Sequence, residues 1–472
     1  MKILLYNWAP LKLINKGGGV SVYLRNLIDE LSSNMNDSIF FLSAGVFCDE
    51  KNRKIRYEEM PNDGKYREFS IINCPVFSPA YLMFCRINIL LEDETVRGIL
   101  NDFFKEFGPF DVVHFNNIEG LPINTFYLKE KYPGTKFIFS IHNYNIFCPQ
   151  VNLWKKETMN CDEIDTGENC LECMVTHVPA KKLIKKMSIT YELYKASIFE
   201  LDEKNIQITK EIDKEYKEIE DKPLTDEKLQ RIISDLERYR TSIVKALNKN
   251  IDKFIAVSDR VKSISIFRGI DAGKIQTLYI GTKFATGGRY SCNTVLGDCA
   301  KISMIYMGYQ RYDKGFFFLI DALNELDSNI AKHIDLTLAA KGDINEKTWS
   351  IDENKFNSFT FINGYSHEML DDLLKGKNLG IVPVLWEDNM PQVAMEMASH
   401  GVPILSSDLG GVSELCGRNE KFVFKAGNKE MLISRIENFV NHPEQLKDYY
   451  DHFIGLKTMS DHTTDLYAIY QS

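Results

Sequence analysis

The chain reads as an α/β protein with two doubly wound, Rossmann-like domains facing a cleft. Three observations predict this. Its 472 residues exceed what one compact core holds and suit two or three domains. Hydrophobic residues make up 44%, enough to build extensive cores. Short β-branched and aromatic runs alternate with amphipathic helical stretches, the pattern of parallel α/β layers, and the alternation restarts after residue 300.

In the first block strands are expected at Lys2–Asn7, Ser38–Ala44, Asp111–Asn116, Lys136–His142 and Lys253–Ser258, with helices at Val20–Ser33 and Thr95–Phe107. Between Ser188 and Asn250 the alternation stops. Apolar or neutral residues recur there at 3,4 spacing, from Ile198 to Ile219 and again at Leu229, Ile232, Leu236, Tyr239, Ile243 and Leu247. Two long helices with narrow apolar seams follow from that spacing. Asp221-Lys222-Pro223-Leu224 breaks them, and Thr225 before Asp226 and Glu227 makes a helix start. A helical hairpin inserted into the first domain (188–250) is expected, either a stabilising ornament or a partner- or membrane-binding element. The second block predicts strands at Ile302–Gly308, Ile334–Ala340, Ser358–Ile362, Leu379–Val384 and Val402–Ser406. The tail from Leu446 to Ser472 reads as amphipathic helix packed on the body. The expected divisions are 1–283, 284–446 and a last helix, 447–472, crossing back.

Lys and Arg number 57 against 66 Asp and Glu, a net charge of -9. That argues against non-specific nucleic-acid binding, which needs a positive field that only local basic patches could supply here. The opening Met1–Asn7 has too short an apolar run for a signal peptide. Ala80–Leu91, the nearest approach to a membrane span, is interrupted by Arg86 and Asn88. A cytoplasmic protein is expected, its ten cysteines mostly reduced.

The segment richest in chemistry runs from Leu385 to Glu414. A strand ends near Val384, and a helix begins at Pro391, a residue suited to a first turn. Asp388 precedes that helix and Glu396 lies inside it. Ligands of open α/β sheets bind at the carboxyl ends of strands. There a helix start offers free amides and partial positive charge to a diphosphate, and a carboxylate can take two neighbouring hydroxyls of a ribose. Gly410-Gly411 lets backbone approach a ligand closely. Each element alone also occurs in inert α/β turns; the specificity lies in their order.

This segment resembles the donor-binding signature of glycosyltransferase family 4: two acids eight positions apart, a Gly-x-Pro turn (Gly401-Val402-Pro403) and Gly-Gly-x-x-Glu. The resemblance extends to the opening strand with Gly17-Gly18-Gly19, to Ser140-Ile141-His142-Asn143, to Ile255-Ala256-Val257-Ser258 and to Lys314-Gly315. It implies a GT-B fold and retaining transfer from a nucleoside-diphosphate sugar to a saccharide or lipid-linked acceptor. By the resemblance Glu396 holds the donor ribose, and Asp388 with Asn389 and Met390 holds the transferring sugar. Lys314 neutralises the diphosphate, the amides of Gly18 and Gly19 approach it from the other domain, and His142 faces the reacting sugar. The sequence departs from the family in three places. The first acid is Asp388 rather than Glu, with Glu387 beside it as a possible substitute. Tyr309 stands where an arginine is usual, with Arg311 two residues late. Ile280-Gly281-Thr282 replaces the usual Asn-Gly. Front-face attack is implied, the leaving diphosphate helping to take the acceptor proton. No Asp-x-Asp triplet appears, so no cofactor is expected for catalysis. A silent GT-B subunit that positions a partner enzyme is the alternative of another class.

Two further features stand apart. Cys148, Cys161, Cys170 and Cys173, the last two in Cys-x-x-Cys spacing, read as a structural zinc knot or as four separate thiols. Ala180–Met187 is basic and apolar together, which suits peripheral contact with an anionic membrane at its inner face or a solvated loop.

Overall fold

The computed structural model describes residues 1–13, 18–33, 37–62, 64–155, 158–162, 167–171, 173, 180–198, 225–286, 291–292, 301–342 and 349–472. Most of them belong to two sheets and their covering helices. The first sheet has eight strands in the spatial order Ile275–Thr277, Lys253–Ala256, Lys136–Ile141, Val112–Phe115, Lys2–Tyr6, Ser38–Ala44, Arg67–Ile72, Arg56–Glu59. Only the last pair is antiparallel. The second sheet has six parallel strands: Ser358–Ile362, Ile334–Lys341, Ile302–Tyr309, Leu379–Val382, Ile404–Ser407 and Val423–Phe424. Numbered along the chain, these six lie in the order 3-2-1-4-5-6, the doubly wound arrangement. The fold class expected from the sequence is the one observed.

Central strands of both sheets are covered on both faces, which is why they read as continuous apolar runs; Val112–Phe115 is buried throughout, His114 included. The edge strand Arg56–Glu59 was not expected from the sequence. Its residues are mostly charged, and cross-strand pairing holds it: the Arg67 guanidinium donates to Glu59 at 2.8 and 2.7 Å. Charge on an edge strand also discourages pairing with another chain.

Helix Asp226–Asn250 begins where expected, with the Thr225 hydroxyl accepting from the Lys228 amide. It buries Ile232, Leu236, Tyr239, Ile243 and Leu247 against Ile87–Leu91, Ile123–Tyr127 and Gly167–Leu171. It then feeds strand Lys253–Ala256, which pairs parallel to Lys136–Ile141. This helix is therefore a crossover of the parallel sheet and part of its core layer, not a separable ornament. The first helix of the expected hairpin, like Gly17, lies outside the described residues. Ala180–Lys195 is helical, with Leu183 and Met187 turned into the body and Lys185 exposed. Among the described residues no helix is long and apolar enough to cross a membrane.

The tail differs from a single amphipathic helix. A short 3-10 turn at Pro443–Lys447 leads into helix Asp448–Asp451, which ends before the left-handed Gly455 (φ 83°), and Met459–Gln471 is a separate helix. That last helix packs on helix Gly18–Ser32 of the first sheet. Its Tyr470 hydroxyl meets His114 Nδ1 at 2.7 Å, while His114 Nε2 meets the Ser140 hydroxyl at 2.7 Å.

Burial depresses His114 from 6.5 to about 3. The unfolded chain takes up this proton near its ordinary value and the folded chain refuses it until about pH 3. Stability owed to this residue is therefore lost as pH falls through that window, by ~1.4 kcal/mol per unit. His114→Gln keeps hydrogen-bonding capacity and removes the titration. The unfolding free energy of wild type minus that of His114→Gln should fall by this slope between about pH 6 and 4. A difference independent of pH contradicts the burial argument.

Candidate active site

In the second sheet the strands Ile302–Tyr309 and Leu379–Val382 are neighbours from which the chain winds in opposite directions. The crevice beyond their carboxyl ends is the topological switch point, where ligands of such sheets bind. Lys314 follows the first of these strands and the Leu385–Met390 loop follows the second. A left-handed Gly315 (φ 70°) starts helix Phe316–Glu325, and a Cβ there would stand 1.7 Å from the Pro383 carbonyl oxygen. The Leu385 amide donates to the Asp313 carbonyl at 2.9 Å. The two loops are thus locked together, and Lys314 Nζ lies 2.5 Å from Asp388 Oδ2 and 4.9 Å from the centre of the Trp386 ring.

The two adjacent acids have separate environments. Glu387 is buried and accepts from Arg260 Nε at 2.9 Å and from Arg260 Nη2, and from the Gly410 amide at 3.0 Å. Its oxygens are thereby committed to structure. Asp388 is left with Lys314. Gly410 (φ 69°) and Gly411 pack on the same loop: a Cβ would meet the Asp388 carbonyl oxygen at 1.9 Å or the Asn389 carbonyl oxygen at 2.3 Å. The need for glycine at both positions comes from loop against loop, where the sequence suggested loop against ligand.

Helix Gln392–Ser399 carries Glu396, 2% exposed. Burial pushes its carboxyl up, opposed by the Tyr365 hydroxyl, which donates at 3.0 Å, and by His367 Nε2 at 3.2 Å. Each carboxylate oxygen keeps a lone pair for a further donor. Met390 is buried beside Gly411, and Asn389 reaches across to the first sheet, its Nδ2 donating to the Ile141 carbonyl at 3.4 Å.

The first sheet presents the opposite wall. Lys2–Tyr6 and Val112–Phe115 are its own switch-point neighbours. A Cβ at Gly19 would lie 3.3 Å from Gln392, in the first turn of the Glu396 helix, and Gly18 has open space where its Cβ would be. Gly19 therefore lies against the start of the other sheet's helix. His142 follows strand Lys136–Ile141; its Nε2 lies 3.1 Å from Asn116 Oδ1 and its ring 4.9 Å from that of Tyr23. Burial lowers its pKa to about 3, so the imidazole is neutral at physiological pH. Arg311 is not brought to Lys314: its guanidinium grips Asp313 at 2.9 and 2.8 Å and is 58% exposed. Tyr309, also exposed, does not replace the missing cation.

Three residues escaped the sequence reading: Arg260, Tyr365 and His367. Arg260 has no local signal at all. Glu414, the last residue of the signature, caps helix Asp259–Phe267 of the first sheet by accepting from the Asp259 and Arg260 amides at 2.9 and 2.7 Å, and from the Tyr279 hydroxyl at 2.7 Å. Tyr365 and His367 reach Glu396 from a loop thirty residues earlier, where no periodicity marks them.

Residues 300–452, which include Lys314 and the whole Asp388-to-Glu414 segment, match the family model for glycosyl transferases group 1. A curated relative, an uncharacterised 42.6 kDa protein of the cps region of Klebsiella pneumoniae, is 23% identical over 36% of this chain and 42% of its own length. The chain thus matches less than half of that relative. Sucrose-phosphate synthase from Thermosynechococcus elongatus shares the fold with a TM-score of 0.59 at 14% identity, over 100% of this chain and 98% of that one. Anabaena Alr3699/HepE, solved in complex with UDP and glucose, does so with a TM-score of 0.52 at 12% identity over 100% and 99%. The architecture is GT-B, two Rossmann-like sheets across a cleft.

Gly315 tests how this domain sets its lysine. Gly315→Ala combines a strained left-handed φ with a backbone clash and should cost about 2 kcal/mol or more, read as a lowered Tm. A variant as stable as wild type would show that the Lys314 turn is not pinned by Pro383.

Proposed function

We propose that the chain is a retaining glycosyltransferase. It moves a sugar from a nucleoside-diphosphate donor to a hydroxyl of a saccharide or lipid-linked acceptor, in polysaccharide or glycoconjugate biosynthesis, without a divalent metal. One observation carries the reading: Lys314 and Asp388 meet across the switch point, at the mouth of the helix that bears Glu396 and opposite Gly19. This arrangement offers an anion site, a sugar-hydroxyl site and a ribose site in the order in which a nucleotide sugar needs them.

In this reading residues 1–283 bind the acceptor, 284–446 bind the donor, and 447–472 tie the two. The ribose hydroxyls donate to the free lone pairs of Glu396. The diphosphate takes Lys314 and the amides of Gly18 and Gly19, and Asp388 exchanges its lysine for hydroxyls of the sugar, beside Asn389 and Met390. The sugar C1–O bond to phosphate breaks, C1 bonds to the acceptor oxygen on the same face, and the acceptor proton passes to a phosphate oxygen. Negative charge grows on the leaving diphosphate, so Lys314 acts more strongly in the transition state than in the ground state. His142, neutral and steadied by Asn116 and Tyr23, offers a hydrogen bond to the sugar rather than a charge. A lipid-linked acceptor would bring the lysines around Lys185 to an anionic membrane surface.

Three variants separate these roles. Glu396→Gln should weaken binding of the nucleoside diphosphate by about 1.5–3 kcal/mol, the worth of a charge-assisted bond. Lys314→Ala should lower kcat by a larger factor than it raises the donor's KM. Asp388→Asn should impair the intact donor while leaving affinity for the bare diphosphate nearly unchanged. Steady-state kinetics reads the Lys314 effect, and calorimetry with each ligand reads the other two together with the reduced affinity for the free nucleoside diphosphate expected of Lys314→Ala. Wild-type affinity for both ligands in the Glu396 and Lys314 variants would refute the site.

A further inference from the structure

The four cysteines singled out by spacing gather on one cavity. Cys148, Cys161, Cys170 and Cys173 line a space of about 20 Å³, room for one small ion or water. Cys148 sits in the loop after strand Lys136–Ile141, with its amide on the Tyr144 carbonyl at 2.7 Å. Cys161 leaves a two-stranded hairpin, with its amide on the Leu153 carbonyl at 2.7 Å. Cys170 lies on the short helix Gly167–Leu171, and the Cys173 amide turns back to the Cys170 carbonyl at 3.1 Å.

The cavity wall also holds two buried N–H donors. Arg240 Nη1 and Trp154 Nε1 have no hydrogen-bond partner among the described residues, and their side chains are 9% and 4% exposed. The rest of the Arg240 guanidinium spends its bonds on the Phe147 carbonyl, at 3.3 and 2.9 Å, and no carboxylate among the described residues pairs with it. A buried cation without a counter-charge is costly, and a buried donor without an acceptor costs about 1–3 kcal/mol. Both costs vanish if the cavity holds an anionic group that accepts N–H bonds. Four thiolates around one divalent cation carry a net charge of about minus two, and their sulfurs are acceptors.

We propose that these four cysteines bind one thiophilic divalent cation of the zinc class, with Arg240 and Trp154 donating to its sulfurs. Among the described residues no three ligating side chains stand within reach of one ion, so binding requires the four sulfurs to draw together. The consequence reaches the cleft. Arg268 Nη2 donates to the Cys161 carbonyl at 2.5 Å, and Asn160, next to Cys161, donates to the Leu385 carbonyl at 3.4 Å, on the loop that carries Asp388. The metal would brace the wall against which that loop rests.

The test is metal analysis of the full chain purified under reducing conditions without chelator, followed by cobalt substitution. About one zinc per chain is expected, together with an intense thiolate-to-cobalt charge-transfer band. Cys170→Ser combined with Cys173→Ser should abolish both, Arg240→Met should weaken metal affinity about tenfold, and Cys292→Ser should change neither. Less than about a tenth of an equivalent, in purified wild type and again after incubation with zinc or cobalt, overturns the proposal. So does full occupancy in the double-serine variant, or a Cys170–Cys173 disulfide in the protein as purified. The cobalt spectrum of wild type decides the matter even if a variant fails to fold.

Discussion

The arrangement of the cleft depends on one buried carboxylate. Glu387 lies between the two sheets, and a carboxylate there must be paired, because removing one partner of a buried pair is far more costly than the pair is worth. It is paired twice over, by the fork of Arg260 from the first sheet and by the Gly410 amide from the second. That choice places the Gly410-Gly411 turn against the backbone of Asp388 and Asn389. It brings helix Asp259–Phe267 within reach of Glu414, which caps it. It also settles which of two adjacent acids is committed to structure and which stands beside Lys314. One residue's desolvation thus organises the loop, the interface between the sheets and the free chemistry of its neighbour.

Around that clamp the two switch points face one another. Each doubly wound sheet offers a crevice where its winding reverses, and here both crevices open on the same cleft: Lys314 and Asp388 on one side, Gly18, Gly19 and His142 on the other. The last helix returns to the first sheet and anchors there through two histidines. His462 Nδ1 faces the Tyr279 carbonyl at 2.9 Å and its Nε2 the Tyr23 hydroxyl at 2.8 Å. A carbonyl only accepts, so the neutral ring donates through Nδ1 and takes the tyrosine proton at Nε2. Tyr23 in turn packs on His142. The crossing helix therefore reaches the second layer of the cleft as well as joining the two halves.

Much of this was legible in the chain. Strands buried on both faces, such as Ser38–Ala44 and Ile334–Lys341, announce themselves as apolar runs, and the Thr225 cap fixes a helix start. Arg56–Glu59 does not, because ion pairs to a neighbouring strand hold it. Nor does the break at Gly455, since the apolar spacing continues across it. Nor does the packing of helix Asp226–Asn250: a seam of 3,4 spacing shows that a helix has an apolar face but not what covers it. In the candidate site, local order pointed to Asp388 and Glu396, and the family resemblance to Lys314. What it could not supply was the pairing of Glu387 with a residue 127 positions away, nor that Asp313, two residues from Arg311, takes that guanidinium. Spacing reports what is possible along one element, and partners across the fold decide among the possibilities.

The central claim is that the cleft takes a nucleoside diphosphate and the sugar it carries. A thermal-shift panel of uridine, guanosine and adenosine diphosphates, each with and without a sugar, tests it directly. One base should stabilise the wild-type chain in both forms, by ~2.7 kcal/mol at a hundred times its dissociation constant, and the effect should weaken in the presence of free pyrophosphate. No shift with any diphosphate, while the protein remains folded, would contradict the account.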